Sequence, residues 1–588
     1  MKEIIPAVKR NLAEILVILA SLLLLGCFVT AKEGFHMDEI ISFEFANAEY
    51  NPWIVPTQPE GRLAKFVHNE IDGATPGETF SNLVREVKDV LQNRGSSKLL
   101  SYKADVYEEP VWITAQQFKD YITVGKGDAF NYLSVFFNVQ GDVHPPLYYM
   151  LLHTASSFFR GMANAWSGCF VNLIFVAATM VLLIQIGRRL AAAFGMPQHA
   201  RAMGICFGLA YGISAGAVST TLLIRMYGLV TLWCVAFFRL LLEKWLDESF
   251  DRKNRKLIFV TMLGFWTQYF FLFYCIPAAL VTSVLLLVRK RVRELWRFVR
   301  SMLIAAVAGV ALFPFAVLDV IYSDRGVEAL GNLSEGFSGY GIKLAAFAKI
   351  LERETFSVAV WIMLAVLMVC WLIIRKGKGG GEKRKFPWGT VCLLVLPAVG
   401  CFLLTARMSP YLVDRYIMPV FPFVIMTGVS ALFGVVTALE KCALQGRAKG
   451  VLPVVCGVTI LLQVVSLVRL VDDGSYLYRG YREQEQMAAE NSDRSCLCVY
   501  TGVGYYENVK EFAHYEKTLL MTMDELRNRI DRESIAAEEE IAVLVKYGVD
   551  YSEVLEILSE EYGFELENGD WVSEGPYGDT ICLMRKES

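Results

Sequence analysis

Histidine is nearly absent from this chain, with six residues in 588, and charge is thin, with Asp, Glu, Lys and Arg making up only 20%. A soluble protein of this length divides into several cores, each wrapped in a charged surface. So sparse a polar coat excludes that arrangement. The 13 cysteines lack the paired spacing of a disulfide framework. Most of them (Cys169, Cys206, Cys234, Cys275, Cys370, Cys392, Cys401) lie inside apolar blocks, where cysteine behaves as a small hydrophobe. Cys496 and Cys498 form a C-x-C on a predicted strand with no second pair, which reads as a buried face and not as a zinc site. The C-terminal region has neither a Gly-rich phosphate loop nor a His/Cys cluster, so it is expected to bind or to brace, not to catalyse.

What the chain has in abundance is apolar length. Hydrophobic residues make up 54% and mean hydropathy is +0.40. They fall into blocks of about 18 to 25 residues, the length a helix needs to cross a hydrocarbon layer about 30 Å thick. Spans are expected at 12–30, 163–187, 201–223, 226–243, 257–271, 272–288, 301–321, 357–374, 388–406, 416–437 and 450–470, about eleven in all. The run 257–288 is too long for one crossing and is divided near Phe271. Leu147–Phe159 is too short to cross and is expected to lie along the outer surface. The first span reads as an uncleaved anchor, being long for a signal peptide despite the small residues Val29 and Ala31.

Positive charge orients the spans. One parity of loop carries Arg188 and Arg189, then Arg252, Lys253, Arg255 and Lys256. It continues with six Lys and Arg between Arg289 and Arg300, the stretch Arg375–Lys385, and Lys441, Arg447 and Lys449. Lys2, Lys9 and Arg10 precede the first span, so the N-terminus is expected in the cytoplasm. An odd number of crossings then puts the tail outside the plasma membrane. From Val471 onward there are 11 Lys and Arg against 27 Asp and Glu, a net of −16, beside +13 for the rest. An acidic tail on a basic membrane body argues against nucleic acid as a partner.

The expected architecture is an α-helical polytopic body over 1–470 with a long first extracytoplasmic loop, 31–145, and an extracytoplasmic α/β domain over 471–588. Helices are predicted at Glu78–Asn93 and Thr114–Ile122, the second opening with a capping box of Thr114 and Gln117. In the tail, strands are predicted at Cys496–Tyr500, Leu519–Thr522, Ile541–Tyr547 and Thr580–Arg585. Thr522 with Glu525 caps a helix through Ile530, and Asp550 precedes a helix through Tyr562. Strand and helix alternate, which is the α/β pattern.

Four of the six histidines (His36, His68, His144, His153) fall in or beside the first outer loop, and two sit in acidic company. One set is Phe35-His36-Met37-Asp38-Glu39; the other is Gly141-Asp142-Val143-His144-Pro145-Pro146-Leu147-Tyr148-Tyr149. A wet interfacial loop accounts for any one acidic pair. Two such sets flanking one loop suit glycosyl transfer, in which a carboxylate takes the acceptor proton and cationic groups stabilise a departing phosphate. The two prolines after His144 fix the backbone at the membrane surface. Arg225-Met226-Tyr227 and Arg415-Tyr416 add cations and rings at other outer turns, and Gln268 and Tyr269 add polar groups. Taken singly, the arginines are accounted for by snorkelling and Gln268 by helix packing. They map, however, to one membrane face. His36, Asp38, Glu39, Asp142 and His144 also offer mixed ligands for a divalent cation, a second use that the sequence leaves open.

Asp38-Glu39, the stretch Asp142-Val143-His144-Pro145-Pro146-Leu147-Tyr148-Tyr149, Arg225-Met226-Tyr227 and Arg415-Tyr416 with Pro419 and Pro422 together resemble bacterial glycosyltransferase family 39. That family is of the GT-C type and related to the protein O-mannosyltransferases and lipid A aminoarabinose transferases. The resemblance covers roughly residues 1–470. It implies an inverting transferase that moves a sugar from a polyprenyl-phosphate donor to an outer-face acceptor, whether protein, lipid or wall polymer. It places the catalytic base on Asp38 and a donor-phosphate contact on His144. Relatives carry an acidic residue where this chain has Arg225-Met226-Tyr227, so Glu39 or Asp142 would supply the supporting carboxylate. Arg225 and Arg415 join His144 on the phosphate, with Tyr227, Tyr416, Gln268 and Tyr269 as further donor contacts. Two other classes compete. A transporter or flippase of a lipid-linked glycan should carry ionisable residues or broken helices near the midplane in both halves, and none are seen. A wall-binding sensor would leave the His-Pro-Pro segment without a role.

Overall fold

The computed structural model describes residues 11–59, 61–93, 96–103, 109–140, 142–317, 327–328, 331–333, 339–356, 387–442, 457, 460–461, 463–468, 470, 476–567, 573–574 and 578–586. The chain divides into two compact units. Unit 1 holds 1–30, 141–147 and 169–475; unit 2 holds 31–140, 148–168 and 476–588.

Unit 1 is helical. Six helical segments among the described residues are long and apolar enough to cross a membrane: Leu12–Ala31, Ala165–Ala193, Phe271–Val288, Val292–Leu312, Trp388–Met408 and Asp414–Val435. Up to seven are found if the pair Pro197–Gly212 and Ala215–Leu222, bent by 54°, is one span. That pair is the expected span 201–223, and the bend falls where Ser214 caps a new helix through the Ala217 N–H. The expected spans 226–243 and 257–271 are the helices Tyr227–Leu246 and Arg255–Thr267. The first ends among Arg239, Glu243 and Lys244, and the second has only 13 residues, so neither passes as a crossing by length and composition. The break after Thr267 falls close to Phe271, the expected division point. The expected span 357–374 and the basic stretch 375–385 lie outside the described residues, as does most of 450–470.

Small residues let the helices approach. A Cβ on Gly187 would lie 2.7 Å from the Gly204 Cα, so helix Ala165–Ala193 and helix Ala200–Gly212 touch backbone to backbone there. Such contacts substitute for the hydrophobic effect that lipid cannot provide.

Unit 2 joins the first loop to the tail in one sheet. Its strands are β1 (Trp112–Thr114), β2 (Ser495–Tyr500), β3 (Lys517–Thr522), β4 (Glu540–Val545), β5 (Phe564–Leu566), β6 (Ser573–Glu574) and β7 (Thr580–Lys586). They run in the order β1-β3-β2-β4-β7-β5, with β6 on β7. β2 pairs in parallel with β3 and β4; β1 and β7 close the flanks antiparallel. The four strands and the three capped helices expected from the sequence are present within a few residues, including both capping boxes. β1 comes from the first loop and the other strands from the tail, so the compact units do not divide the chain at residue 470. One face of the sheet carries Leu497, Val499, Leu519, Val543 and Met584 against Val554 and Leu558 of helix Tyr551–Tyr562. Cys496 and Cys498 are fully buried on the strand between these residues.

Candidate active site

The chain leaves helix Leu12–Ala31 and at once builds a short capped helix, Met37–Asn47. His36 is the cap. Its Nδ1 accepts from the Asp38 N–H at 3.0 Å, and the Glu39 carboxylate accepts from the His36 N–H at 2.8 Å. Lys32 Nζ donates to Glu39 Oε2 at 3.0 Å and to the Tyr476 carbonyl at 2.8 Å, and it lies 4.6 Å from the centre of the Tyr478 ring. Both side chains of the Lys32–Glu39 pair are fully buried. Glu39 is therefore held by a buried cation and a cap. Asp38, beside it, keeps 19% of its side chain exposed in the first turn of the helix, 3.6 Å from His36 Nδ1. A helix N-terminus favours the ionised carboxylate. The backbone is tight here: a Cβ at Gly34 would lie 2.6 Å from the Tyr481 ring.

Unit 1 holds the second set. Asp142 Oδ2 and His144 Nδ1 are 2.6 Å apart, with 17% and 14% of the two side chains exposed. Burial resists ionisation of Asp142, but the charge and hydrogen bond of His144, the Arg225 charge and the Val143 N–H outweigh it and hold the carboxyl below its usual range. Arg225 is 5% exposed, in the turn between helices Ala215–Leu222 and Tyr227–Leu246. The buried Asn172 amide fixes that turn by donating to the Leu223 carbonyl at 2.6 Å and the Thr221 carbonyl at 3.2 Å. Two residues beyond Arg225, the Tyr227 ring meets the Tyr416 ring edge to face at 6.4 Å. Phe270, from the turn that carries Gln268 and Tyr269, packs on Tyr416 at 5.1 Å. The Arg415 guanidinium lies 5.8 Å from the Tyr416 ring centre. Gln268 is buried, and the Tyr269 ring packs at a tilt on Phe265, 5.4 Å between centres.

Beside this lies a set that sequence reasoning missed. Glu354, fully buried at the end of helix Tyr340–Thr355, accepts from Ser219 Oγ at 2.8 Å and from Arg353 Nε at 2.8 Å. Arg353 also reaches Asp414 at 4.0 Å. Burial first, and then the Asp414 charge, push the Glu354 carboxyl up to about 7. An apolar cavity of 220 Å³ is lined by residues of helices Tyr340–Thr355, Trp388–Met408 and Phe421–Cys442, among them Leu351, Val395, Val399, Phe402 and Val424, and by Val420. Leu351 precedes Arg353 by two residues, and Val420 ends the short 3-10 helix that Asp414 begins. The signal that would have found the set is its company: Arg-Glu just before a long apolar block, and Asp just ahead of Arg415-Tyr416.

Among the described residues no group of three or more His, Cys, Asp or Glu side chains is placed to hold a metal ion. Within unit 2, His36 caps helix Met37–Asn47 and Glu39 pairs with Lys32; within unit 1, Asp142 pairs with His144.

Solved structures similar to this chain include two of ArnT from Cupriavidus metallidurans. The form bound to undecaprenyl phosphate aligns at a TM-score of 0.46 and 12% identity, over 75% of this chain and 88% of that one. The apo form aligns at 0.44 and 13%, over 75% and 87%. No protein-family model and no curated protein matches the chain.

Proposed function

We propose that the chain is an inverting membrane glycosyltransferase that moves a sugar from a polyprenyl-phosphate donor to an acceptor outside the cell. The observation that carries this reading is the Asp142–His144 pair with the buried Arg225 in an otherwise apolar helical unit. A buried guanidinium and an imidazole held by a carboxylate suit a phosphate whose negative charge grows as its bond to the sugar breaks. The rings of Tyr227, Tyr416 and Phe270 offer faces for the sugar, and the apolar cavity lined by Leu351, Val399 and Val424 suits a stretch of lipid chain.

In this reading the acceptor hydroxyl oxygen attacks the anomeric carbon as the carbon–oxygen bond to the phosphate breaks. The hydroxyl proton passes to the Asp38 carboxylate, and polyprenyl phosphate leaves with the bonding electron pair. Glu39 acts through position, its Lys32 pair holding the first turn of helix Met37–Asn47 that presents Asp38. Asp142 supports His144, while His144, Arg225 and Arg415 hold the phosphate. A lipid anchor lowers the entropy cost of encounter, which is the reason to build the reaction into a membrane.

The test is to incubate the purified protein with polyprenyl-phosphate sugars and an acceptor mixture. Release of free polyprenyl phosphate, with an α-linked product from a β-linked donor, is the expected result. A transporter or flippase would move the donor and release nothing, and a retained configuration would exclude single displacement.

A further inference from the structure

A second cationic site lies in unit 1, where two helices end. Arg239, Leu242 and Glu243 occupy one face of helix Tyr227–Leu246, at i, i+3 and i+4. Gln185, Ile186, Arg188 and Arg189 occupy the last turns of helix Ala165–Ala193. These seven residues line one cavity of 290 Å³. Three arginines and one glutamate give the lining a formal charge of +2. None of these residues takes part in the proposed transfer.

Two bland accounts are available. The arginines could simply snorkel, or their carboxylate partners could consume them. Arg239 pairs with Glu243 at 3.3 Å, Arg189 with Asp247 at 3.3 Å, and Arg188 with Glu14. Each of these pairs engages a single terminal nitrogen of its guanidinium. The Arg239 and Arg189 pairs are also between a third and a little over half exposed. Exposed pairs of that kind contribute little to stability and exchange readily for a better acceptor. Snorkelling alone would send each arginine outward to its own water. It does not explain why three guanidinium groups from two helices line one cavity, whose remaining wall is Gln185, Ile186, Leu242 and Glu243.

We propose that this cavity binds the phosphate of an anionic phospholipid headgroup. Planar guanidinium groups from two directions match the oxygens of a phosphodiester. Ile186 and Leu242 offer an apolar wall for the first carbons of the lipid. The cavity, at the lower end of the range of about 300–1,000 Å³ usual for ligand pockets, takes a headgroup and not a glycan. Basic pockets between membrane helices commonly hold such headgroups. Inorganic phosphate shares the chemistry, and the experiment separates the two sources.

The full chain is purified in a zwitterionic detergent and its thermal unfolding is followed with phosphatidylglycerol, phosphatidylcholine or inorganic phosphate added, while native mass spectrometry counts bound lipid. Phosphatidylglycerol should bind at about one molecule per chain and raise the melting temperature, with phosphatidylcholine doing neither. The Arg189→Gln, Arg239→Gln double variant should bind it at least about tenfold more weakly. The Arg189→Lys, Arg239→Lys variant should recover part of that binding, which distinguishes lost charge from lost folding. Protection by millimolar inorganic phosphate alone, lost in the same Gln variant, would keep the phosphate site but reassign its source. Equal binding of phosphatidylcholine and phosphatidylglycerol, or undiminished phosphatidylglycerol binding by the Gln double variant, would overturn the site.

Discussion

Asp38 and Glu39 are neighbours with opposite surroundings, and the contrast sets the sharpest tests at the level of single side chains. Glu39 is buried on Lys32, whereas Asp38 stays partly exposed on the same turn. Asp38→Asn keeps the size and much of the hydrogen bonding but cannot take a proton. Transfer should fall by about 10²–10⁴ with donor binding preserved, read from single-turnover rates and donor binding measured separately. Near-normal transfer by that variant would remove Asp38 as the base. Lys32→Met, by contrast, leaves Glu39 as an uncompensated buried carboxylate and should cost about 3–5 kcal/mol of stability. On the phosphate side, His144→Ala and Arg225→Ala should each weaken donor use roughly ten- to a hundredfold, as loss of a charge-assisted hydrogen bond does. Wild-type turnover in both would remove His144 and Arg225 from the phosphate contact. Away from the site, Glu511 offers a pH test. Burial, the largest influence, pushes its carboxyl from 4.5 up to about 8. Between those values the folded chain holds a proton that the unfolded chain has lost, so its contribution to stability falls as pH rises from about 4.5 to 8. Glu511→Gln should flatten that part of the melting-temperature profile, and an unchanged slope would show that the group ionises freely.

At the scale of elements, the short strand β1 is the informative piece. Only three residues long, it lies in the first loop and pairs antiparallel with β3 of the tail, Ile113 opposite Thr518. Ile113 is fully buried, and the Trp112 indole donates to Ser534 Oγ at 2.8 Å. Ile113→Ala should cost about 2–5 kcal/mol, the range for emptying a buried aliphatic site. Its effect should appear some four hundred residues away in the chain, as faster hydrogen exchange of the β3 amides. Unchanged exchange in β3 would show that the tail sheet is stable without its β1 edge. The capped helices behave differently, because their stop and start signals are local. Thr114 with Gln117, Thr522 with Glu525, and Asp550 were all legible as caps before any tertiary contact was known, since each satisfies orphan N–H groups within one turn. Helix Met37–Asn47 was not legible. Its cap is a histidine, and its buried face includes Glu39, Glu44 and Asn47, so neither the capping pattern nor the apolar period announces it.

For the whole molecule the open question is orientation, which rests on the distribution of Lys and Arg. If the basic loops face the cytoplasm, a cysteine placed at the exposed Ser559 of the tail should react with an impermeant reagent in intact cells, and one at the exposed Lys253 should not. The reverse pattern would put the proposed chemistry on the wrong face. The acidic tail suits an outer location, where it avoids the negative surface of the cytoplasmic leaflet.

Apolar blocks, their lengths, the capped helices and the alternating strands of the tail were written in the sequence, because each depends on neighbours within a turn or two along the chain. The division of 257–288 near Phe271 belongs with them, since no helix of that length fits one hydrocarbon layer. So does the Asp142–His144 pair, two residues apart on a proline-fixed segment. Tertiary structure alone decided which distant segments meet. It joined β1 to the tail sheet, brought Phe270 and Tyr227 to Tyr416, set Glu354 on Ser219, and closed Lys32 over Glu39. Arg353, Glu354 and Lys32 read in sequence as charges flanking apolar runs, where solvation is the ordinary outcome. Burial changes their meaning, because a desolvated charge must find a partner and those partners come from other parts of the chain.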